Sequence, residues 1–392
     1  MGDWVREGKR CARQRSEAQG PRRKDHGARI TTPSFTNCRT VPFAAGQGPA
    51  AKGTVGENAR ERLDETMDIK KLATDLQQGD RRALARAITL VESGRDDHRL
   101  LALELMELVQ HTGREALRLG LSGTPGVGKS TFIESFGMML IRQGLKVAVL
   151  AVDPSSSRSG GSILGDKTRM ELLTREKNAF IRPSPSQTNL GGVARRTREA
   201  TLLCEAAGYD IVLIETVGVG QSETVVAQMS DLFLLLLAPA GGDELQGVKR
   251  GIMEMADLIL VNKADGDLKA AAQRTRADYA GALHLLRRRP QDPDGFPKAT
   301  TVSALEDSGL NEAWVDMQHL VSWRKAQGHF TKTRADQAQY WFAQDIRNGV
   351  LSQLDREPLK SAILGYAAQV GQGDLTPSRA AEHVLAALKG GG

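Results

Sequence analysis

An α/β fold built on a mainly parallel sheet, with helices on both faces, is the class this sequence predicts. Three observations predict it. Six short apolar runs, at 117–121, 147–152, 211–214, 232–237, 258–261 and 300–302, recur between helical or loop segments. The runs are apolar throughout rather than alternating, as strands buried on both faces are. Polar and glycine-rich motifs follow several of the runs directly, where ligands gather in sheets of this kind.

The elements follow in chain order. Residues 1–66 are rich in Arg, Gly, Gln, Ser and Thr without a sustained hydrophobic period, and read as disordered. They hold 13 Lys/Arg against 8 Asp/Glu, so they carry most of the chain's net charge of +6. The body is therefore nearly neutral, which gives no support to a nucleic-acid surface. Asp3, Glu7, Glu17 and Asp25 argue against a mitochondrial targeting segment, which is poor in acids. The expectation is a cytoplasmic protein, with the mitochondrial matrix as the alternative if residues 1–66 do target. A later start at Met67, where the first periodic segment begins, is the leading account of the preceding stretch.

Residues 67–115 read as a helical preface. Leu84, Ile88 and Val91 share one face. Leu100, Leu103, Leu105 and Leu108 suggest a second helix, and "ESGRDD" from Glu92 marks the break. The strand-and-helix alternation spans 116–325. Residues 326–392 are helical again, with "DQAQYWFAQDIRNGVLSQL" as one amphipathic helix. Another follows Thr376 as N-cap, with Pro377 at its first position and Ala380, Val384, Leu385 and Leu388 on one face. Such stripes serve equally to cover a core or to form a dimer arm.

Composition narrows the classes. No apolar run approaches the roughly 20 residues of a membrane span, and the greasiest, "LFLLLLAP", is followed by Gly-Gly and reads as a strand. The three cysteines, Cys11, Cys38 and Cys204, form no CxxC pair, so neither a disulfide framework nor a zinc site is indicated.

The chemistry lies in two motifs and a set of carboxylates. "LSGTPGVGKSTF" fits G-x-x-x-x-G-K-[ST] between a strand and an amphipathic helix, the context of a phosphate-binding P-loop. Gly123, Gly126 and Gly128 let the backbone close on phosphate oxygens, with Val127 and Thr131 in the same cradle. Lys129 reaches the terminal phosphates and Ser130 ligates Mg²⁺. Position 124 is Thr, so the loop lacks the second lysine of a deviant class of dimeric ATPases. "NKAD" then follows the run at 258–261. Asp265 matches the paired donors of guanine, which adenine lacks, while Lys263 packs along the base and Asn262 ties the motif to the phosphate loop. "SAL", Ser303, Ala304 and Leu305, offers a backbone amide to the guanine 6-oxygen. The ligand expected is GTP or GDP with Mg²⁺. Asp153, at a strand end, is placed to hold a magnesium water. Asp166 is open between that role and a helix cap. In "IETVGVGQSE", Glu215 is a third magnesium-side carboxylate and Gly218 gives its N–H to the γ-phosphate. Lys129, Asp166 and Glu215 form the expected catalytic set. Val219 stands where many small GTPases carry a water-orienting Gln.

The ordered set "GTPGVGKST", "VLAVDPSSSRSGGSILGDKTRM", "AFIRPSP", "LGGVARRTRE", "IVLIETVGVGQSE", "GGDELQGVK" and "VNKAD" resembles the methylmalonyl-CoA mutase-associated GTPases, the MeaB, ArgK and MMAA type. The resemblance covers about residues 68–392 and is densest between 120 and 266. It implies a P-loop GTPase that acts as a chaperone of an adenosylcobalamin-dependent acyl-CoA mutase, gating cobalamin loading by an adenosyltransferase and protecting the mutase. It further implies that Asp166 belongs with the Mg²⁺ ligands Ser130, Asp153 and Glu215. Asp243, Gln246 and Lys249 would sense the partner in an extra switch loop, and the C-terminal helices would form a homodimer arm.

Other classes fit less well. A metal-delivery GTPase needs a His/Cys cluster, and the seven histidines are scattered. A protein-targeting GTPase needs a Met-rich helical domain, and the ten methionines are spread out. A kinase or ATPase of basic amino-acid transport conflicts with guanine selection by "NKAD". Without a residue to orient water, slow intrinsic turnover is expected, accelerated when a partner orders the switches.

Overall fold

Two aspartates open the described part of the chain. Asp68 accepts from the Lys71 backbone N–H at 3.0 Å and caps α1 (Ile69–Gln77); Asp80 accepts from that of Ala83 at 2.7 Å and caps α2 (Arg81–Glu92). The computed structural model describes residues 68–110, 112–152, 170–183, 190–216, 222–239, 250–286 and 289–390. The break expected at Glu92 is there, and α3 (Asp96–Val109) follows it.

The helix suggested by Leu100, Leu103, Leu105 and Leu108 is α3, and burial divides those leucines. Leu84, Ile88 and Val91 are buried, whereas Leu100, Leu103 and Leu108 are exposed and only Leu105 of that set is fully buried. The buried stripe of α3 is Ala102, Leu105 and Val109, three and four residues apart, as one helical face requires.

Among the described residues the sheet has seven strands: β1 (Leu117–Ser122), β2 (Val147–Val152), β3 (Ala179–Arg182), β4 (Ile211–Thr216), β5 (Leu232–Leu237), β6 (Leu258–Val261) and β7 (Lys298–Thr301). Their order is β3-β2-β4-β1-β5-β6-β7, and every neighbouring pair is parallel. Sequence reasoning missed β3. It is a four-residue edge strand, "AFIR", whose arginine ends it before it reads as an apolar run. It began β7 two residues late, because Lys298 masks the start of the strand.

Helices cover both faces. Around the sheet lie α4 (Lys129–Arg142), the short α5 (Glu171–Arg175), α6 (Leu190–Ala206), α7 (Ser222–Ala227), α8 (Arg250–Met255), α9 (Lys269–His284) and α10 (Leu310–Ala326). Alternate residues of β5 divide between two cores. Phe233, Leu235 and Leu237 pack toward α1, α2, α3 and α6; Leu232, Leu234 and Leu236 pack toward α4 and α10. That is why "LFLLLL" is apolar at every position. Gly120 in β1 has a different purpose. A Cβ there would lie 2.3 Å from Ser230 Oγ and 2.9 Å from Val226 Cγ1, so its absence lets the end of α7 lie against the strand.

The C-terminal helices are α11 (His329–Gln353), α12 (Leu359–Gln372) and α13 (Pro377–Gly390). Thr376 caps α13 through its Oγ1, 3.4 Å from the Arg379 N–H. Ala380 is buried, whereas Leu385 is exposed. The first half of α11 is fixed to the body by Arg334, which pairs with Asp231, and by Trp341, whose indole N–H donates to Gln228 O. Its second half carries exposed Phe342, Ile346 and Leu351, and no residue of α12 is buried.

Candidate functional site

The site forms where β1 meets α4. β1 stops at Ser122, and the chain turns through residues 123–128 before Lys129 begins the helix. The Val127 N–H reaches Thr124 O at 3.4 Å, which closes the turn. Gly128 takes φ 91° just before α4, and a Cβ on it would sit 2.8 Å from Asn262 Nδ2. Only glycine meets both demands. Lys129, Ser130 and Thr131 thus occupy the first turn of a 14-residue helix, whose leading N–H groups have no partner within the helix. That end carries positive potential, suited to an anion.

Lys129 is half-buried and folds back on its own loop, donating to Gly123 O at 2.7 Å and Thr124 O at 3.4 Å. Burial pushes its ammonium below the ordinary lysine value, while the carboxylates of Glu215 and Glu223 pull the other way. Glu215 is buried near the end of β4, in register with Leu121 of β1 and Ala151 of β2. Beside it, Thr216 Oγ1 donates to Ser122 Oγ at 3.2 Å.

The second motif adjoins the first. Asn262, at the end of β6, is buried and works in two directions. Its Nδ2 donates to Val127 O at 2.9 Å, and its Oδ1 accepts from the Ala304 N–H at 3.1 Å. Lys263, with φ 58°, stretches across to Gly126 O at 2.7 Å. Asp265 accepts a short hydrogen bond from Ser303 Oγ. Ser303, Ala304 and Leu305 follow β7 in a small hairpin closed by paired backbone bonds between Ser303 and Ser308, 2.9 and 3.1 Å long.

The structure thus brings together Gly123, Gly126, Val127, Gly128, Lys129, Glu215, Asn262, Lys263, Asp265, Ser303, Ala304 and Leu305, with Ser130 and Thr131 on the same helical turn. Asp153, Asp166, Gly218, Asp243, Gln246 and Lys249 lie outside the described residues, as does Val219. Among the described residues no group of three His, Cys, Asp or Glu could hold a metal ion. Two residues escaped the sequence reading. Glu223, in the first turn of α7, acts on the Lys129 charge; its carboxylate was visible in "GQSE", but a glycine-rich spacing does not report which way the chain returns. Ser135 on α4 donates to Ala304 O at 2.6 Å, a contact across 169 residues that leaves no local signal.

Comparison with known proteins accords with this arrangement. The family described as methylmalonyl Co-A mutase-associated GTPase MeaB matches residues 84–358. The chain is 50% identical over 332 residues to the mouse methylmalonic aciduria type A homolog, mitochondrial, covering 82% of this chain and 80% of that one. It is 51% identical over 279 residues to the GTPase ArgK of Escherichia coli K12, covering 71% and 84%. Among solved structures, a LAO/AO transport system kinase superposes with a TM-score of 0.64 at 39% identity, over 83% of this chain and all of that one. The chain belongs to the MeaB family of methylmalonyl-CoA mutase-associated GTPases and is itself a P-loop GTPase.

Proposed function

We propose that the chain is a GTP-dependent chaperone of an adenosylcobalamin-dependent acyl-CoA mutase, most directly methylmalonyl-CoA mutase. It binds the mutase, gates cobalamin loading by an adenosyltransferase, and protects or restores the loaded enzyme. The observation that carries the nucleotide half of this reading is the double grip of Asn262, on Val127 O and on the Ala304 N–H. One side chain makes a single pocket of the phosphate turn and the base hairpin. The family and the mouse relative's name support the mutase half.

In this reading the N–H groups around Gly126, Val127, Gly128, Ser130 and Thr131 cradle the phosphates, joined by Gly123 and Gly218. Lys129 leaves its two carbonyl partners for the β and γ oxygens, and phosphate charge relieves its burial. Asp265 accepts from guanine N1–H and the 2-amino group, Lys263 covers the base face, and the hairpin 303–305 meets the 6-oxygen. Ser130, Asp153, Asp166 and Glu215 would hold Mg²⁺; of these Glu215, a buried carboxylate near a strand end beside the Lys129 ammonium, is a hard-oxygen donor already set in a charged site. When bound, the ion neutralises charge on the phosphates. Lys129, Asp166 and Glu215 are the catalytic set. With Val219 in place of a water-orienting Gln, the isolated protein turns over slowly. Asp243, Gln246 and Lys249 report the partner's presence. The exposed apolar half of α11, with α12 and α13, forms the arm of a homodimer. The protein works in the cytoplasm, or in the mitochondrial matrix if residues 1–66 target it there. No described helix is long and apolar enough to cross a membrane.

Mixing the purified chain with methylmalonyl-CoA mutase tests the reading. Co-elution in size-exclusion chromatography that responds to GTP or GDP is the expected result. Failure to associate in any nucleotide state refutes the mutase assignment and leaves the GTPase assignment standing.

A further inference from the structure

Sequence reasoning left the base hairpin with three amides of which any could face the guanine 6-oxygen. The hydrogen bonds of the hairpin remove most of the choice. The Ser303 N–H and C=O are paired with Ser308. The Ala304 N–H is held by Asn262 Oδ1 and the Glu306 N–H by Ser303 Oγ, both at 3.1 Å. Between them, the Leu305 N–H has no partner among the described residues, and its side chain is 79% exposed at the hairpin tip.

The Leu305 N–H shares a peptide with the Ala304 C=O, and in a trans peptide the two point in opposite directions. Ser135 holds that C=O toward α4 at 2.6 Å. The N–H is thereby turned outward from α4 and kept there. We infer that Ser135 is a positioning residue for guanine selectivity: it fixes the Ala304–Leu305 peptide so that the Leu305 N–H donates to the guanine 6-oxygen. This rests on the nucleotide-site reading above and deepens it.

The placement has a mechanical consequence. Ser135 lies five residues beyond Ser130, about 7.5 Å along the axis of α4 at about 1.5 Å per residue. One rigid helix therefore carries the phosphate-end groups and the anchor of the base loop. Asn262 links the same two loops from the other side. Base and phosphate recognition are thus held at a fixed separation by two independent ties.

Two nucleotide analogues separate this from a general structural role. 6-Thio-GDP keeps guanine N1–H and the 2-amino group but has sulfur, a poor acceptor, at position 6. IDP keeps the 6-oxygen and lacks the 2-amino group, so its penalty reports Asp265. Dissociation constants for GDP, 6-thio-GDP and IDP are measured on the full chain, its Ser135→Ala variant and its Ser135→Thr variant. The expected result is a roughly 5-fold smaller preference for GDP over 6-thio-GDP in Ser135→Ala, the worth of one hydrogen bond. The preference for GDP over IDP is unchanged, and Ser135→Thr, which keeps the hydroxyl, restores the first ratio. An unchanged 6-thio ratio in Ser135→Ala overturns the inference, as does an equal loss of both ratios, which marks a loosened loop. If the unaltered chain binds no GDP, the nucleotide-site reading itself fails. If it binds GDP without preference over IDP, only the Asp265 assignment fails.

Discussion

Lys129 shows how a single residue stores the site's purpose. Its ammonium is half-buried against two carbonyls, so its charge is costly until phosphate arrives. Replacing it with Ala should weaken GDP binding by roughly 10- to 150-fold, since a hydrogen bond to a charged group is worth about 1.5–3 kcal/mol. Titration calorimetry measures this, and near-native affinity in the variant contradicts the phosphate-turn assignment. The depressed pKa also has a pH consequence. Between its folded value and the 10.5 of a free lysine, the unfolded chain holds a proton that the folded chain lacks. Stability therefore gains from Lys129 as pH rises toward 10.5, and Lys129→Met should lose this gain in urea unfolding curves measured at rising alkaline pH. At the base end, Asp265→Asn reverses one hydrogen-bond partner, so preference should move from GTP to xanthosine triphosphate in competition binding. A variant that still favours GTP argues against base contact by Asp265.

At the scale of elements, the site depends on how closely β6 approaches the turn before α4. Gly128 sits at the contact, with positive φ and no room for a Cβ beside Asn262. Gly128→Ala should cost about 1–3 kcal/mol from backbone conformation and contact together, read in chemical denaturation. It should also weaken nucleotide binding, because Asn262 must move. Stability and affinity unchanged from the parent chain would show that the tie between the loops is not strained. Elements with a strong local signature were legible before the structure. The double-sided strands β2, β5 and β6 fall at the expected residues, because burial on both faces demands an unbroken apolar run. The strand β3 was not, being short, at the edge and ended by Arg182. The turn before α4 and the "NKAD" segment were legible because each concentrates its chemistry in a few consecutive residues. Ser135 and Glu223 were not, because each acts on a partner that only the tertiary fold brings near.

Across the whole molecule, α10 and the first half of α11 are locked to the base of the sheet by buried ions. Arg324 of α10 pairs with Asp257 and Asp292 at 2.6 Å each, and Arg334 of α11 pairs with Asp231 at 2.7 Å. Asp231 and Asp257 stand just before β5 and β6 and also accept from the backbone N–H groups of Arg118 and Phe233. These strands lead, at their other ends, to the residues of the candidate site. Removing one member leaves its partners charged and dry, so Arg324→Ala should destabilise the chain by about 3–5 kcal/mol in guanidinium unfolding. A loss under 1 kcal/mol would show that water already reaches the network. In the proposed function the GTPase is incomplete alone, with Val219 where many small GTPases carry a water-orienting Gln, and a B12-dependent acyl-CoA mutase supplies the ordering it lacks. The direct measurement is single-turnover GTP hydrolysis by the full chain, alone and with methylmalonyl-CoA mutase. The account predicts slow hydrolysis alone and at least about a tenfold acceleration with the mutase, about 1.4 kcal/mol off the barrier. Hydrolysis that is fast in isolation and unchanged by the mutase would contradict it.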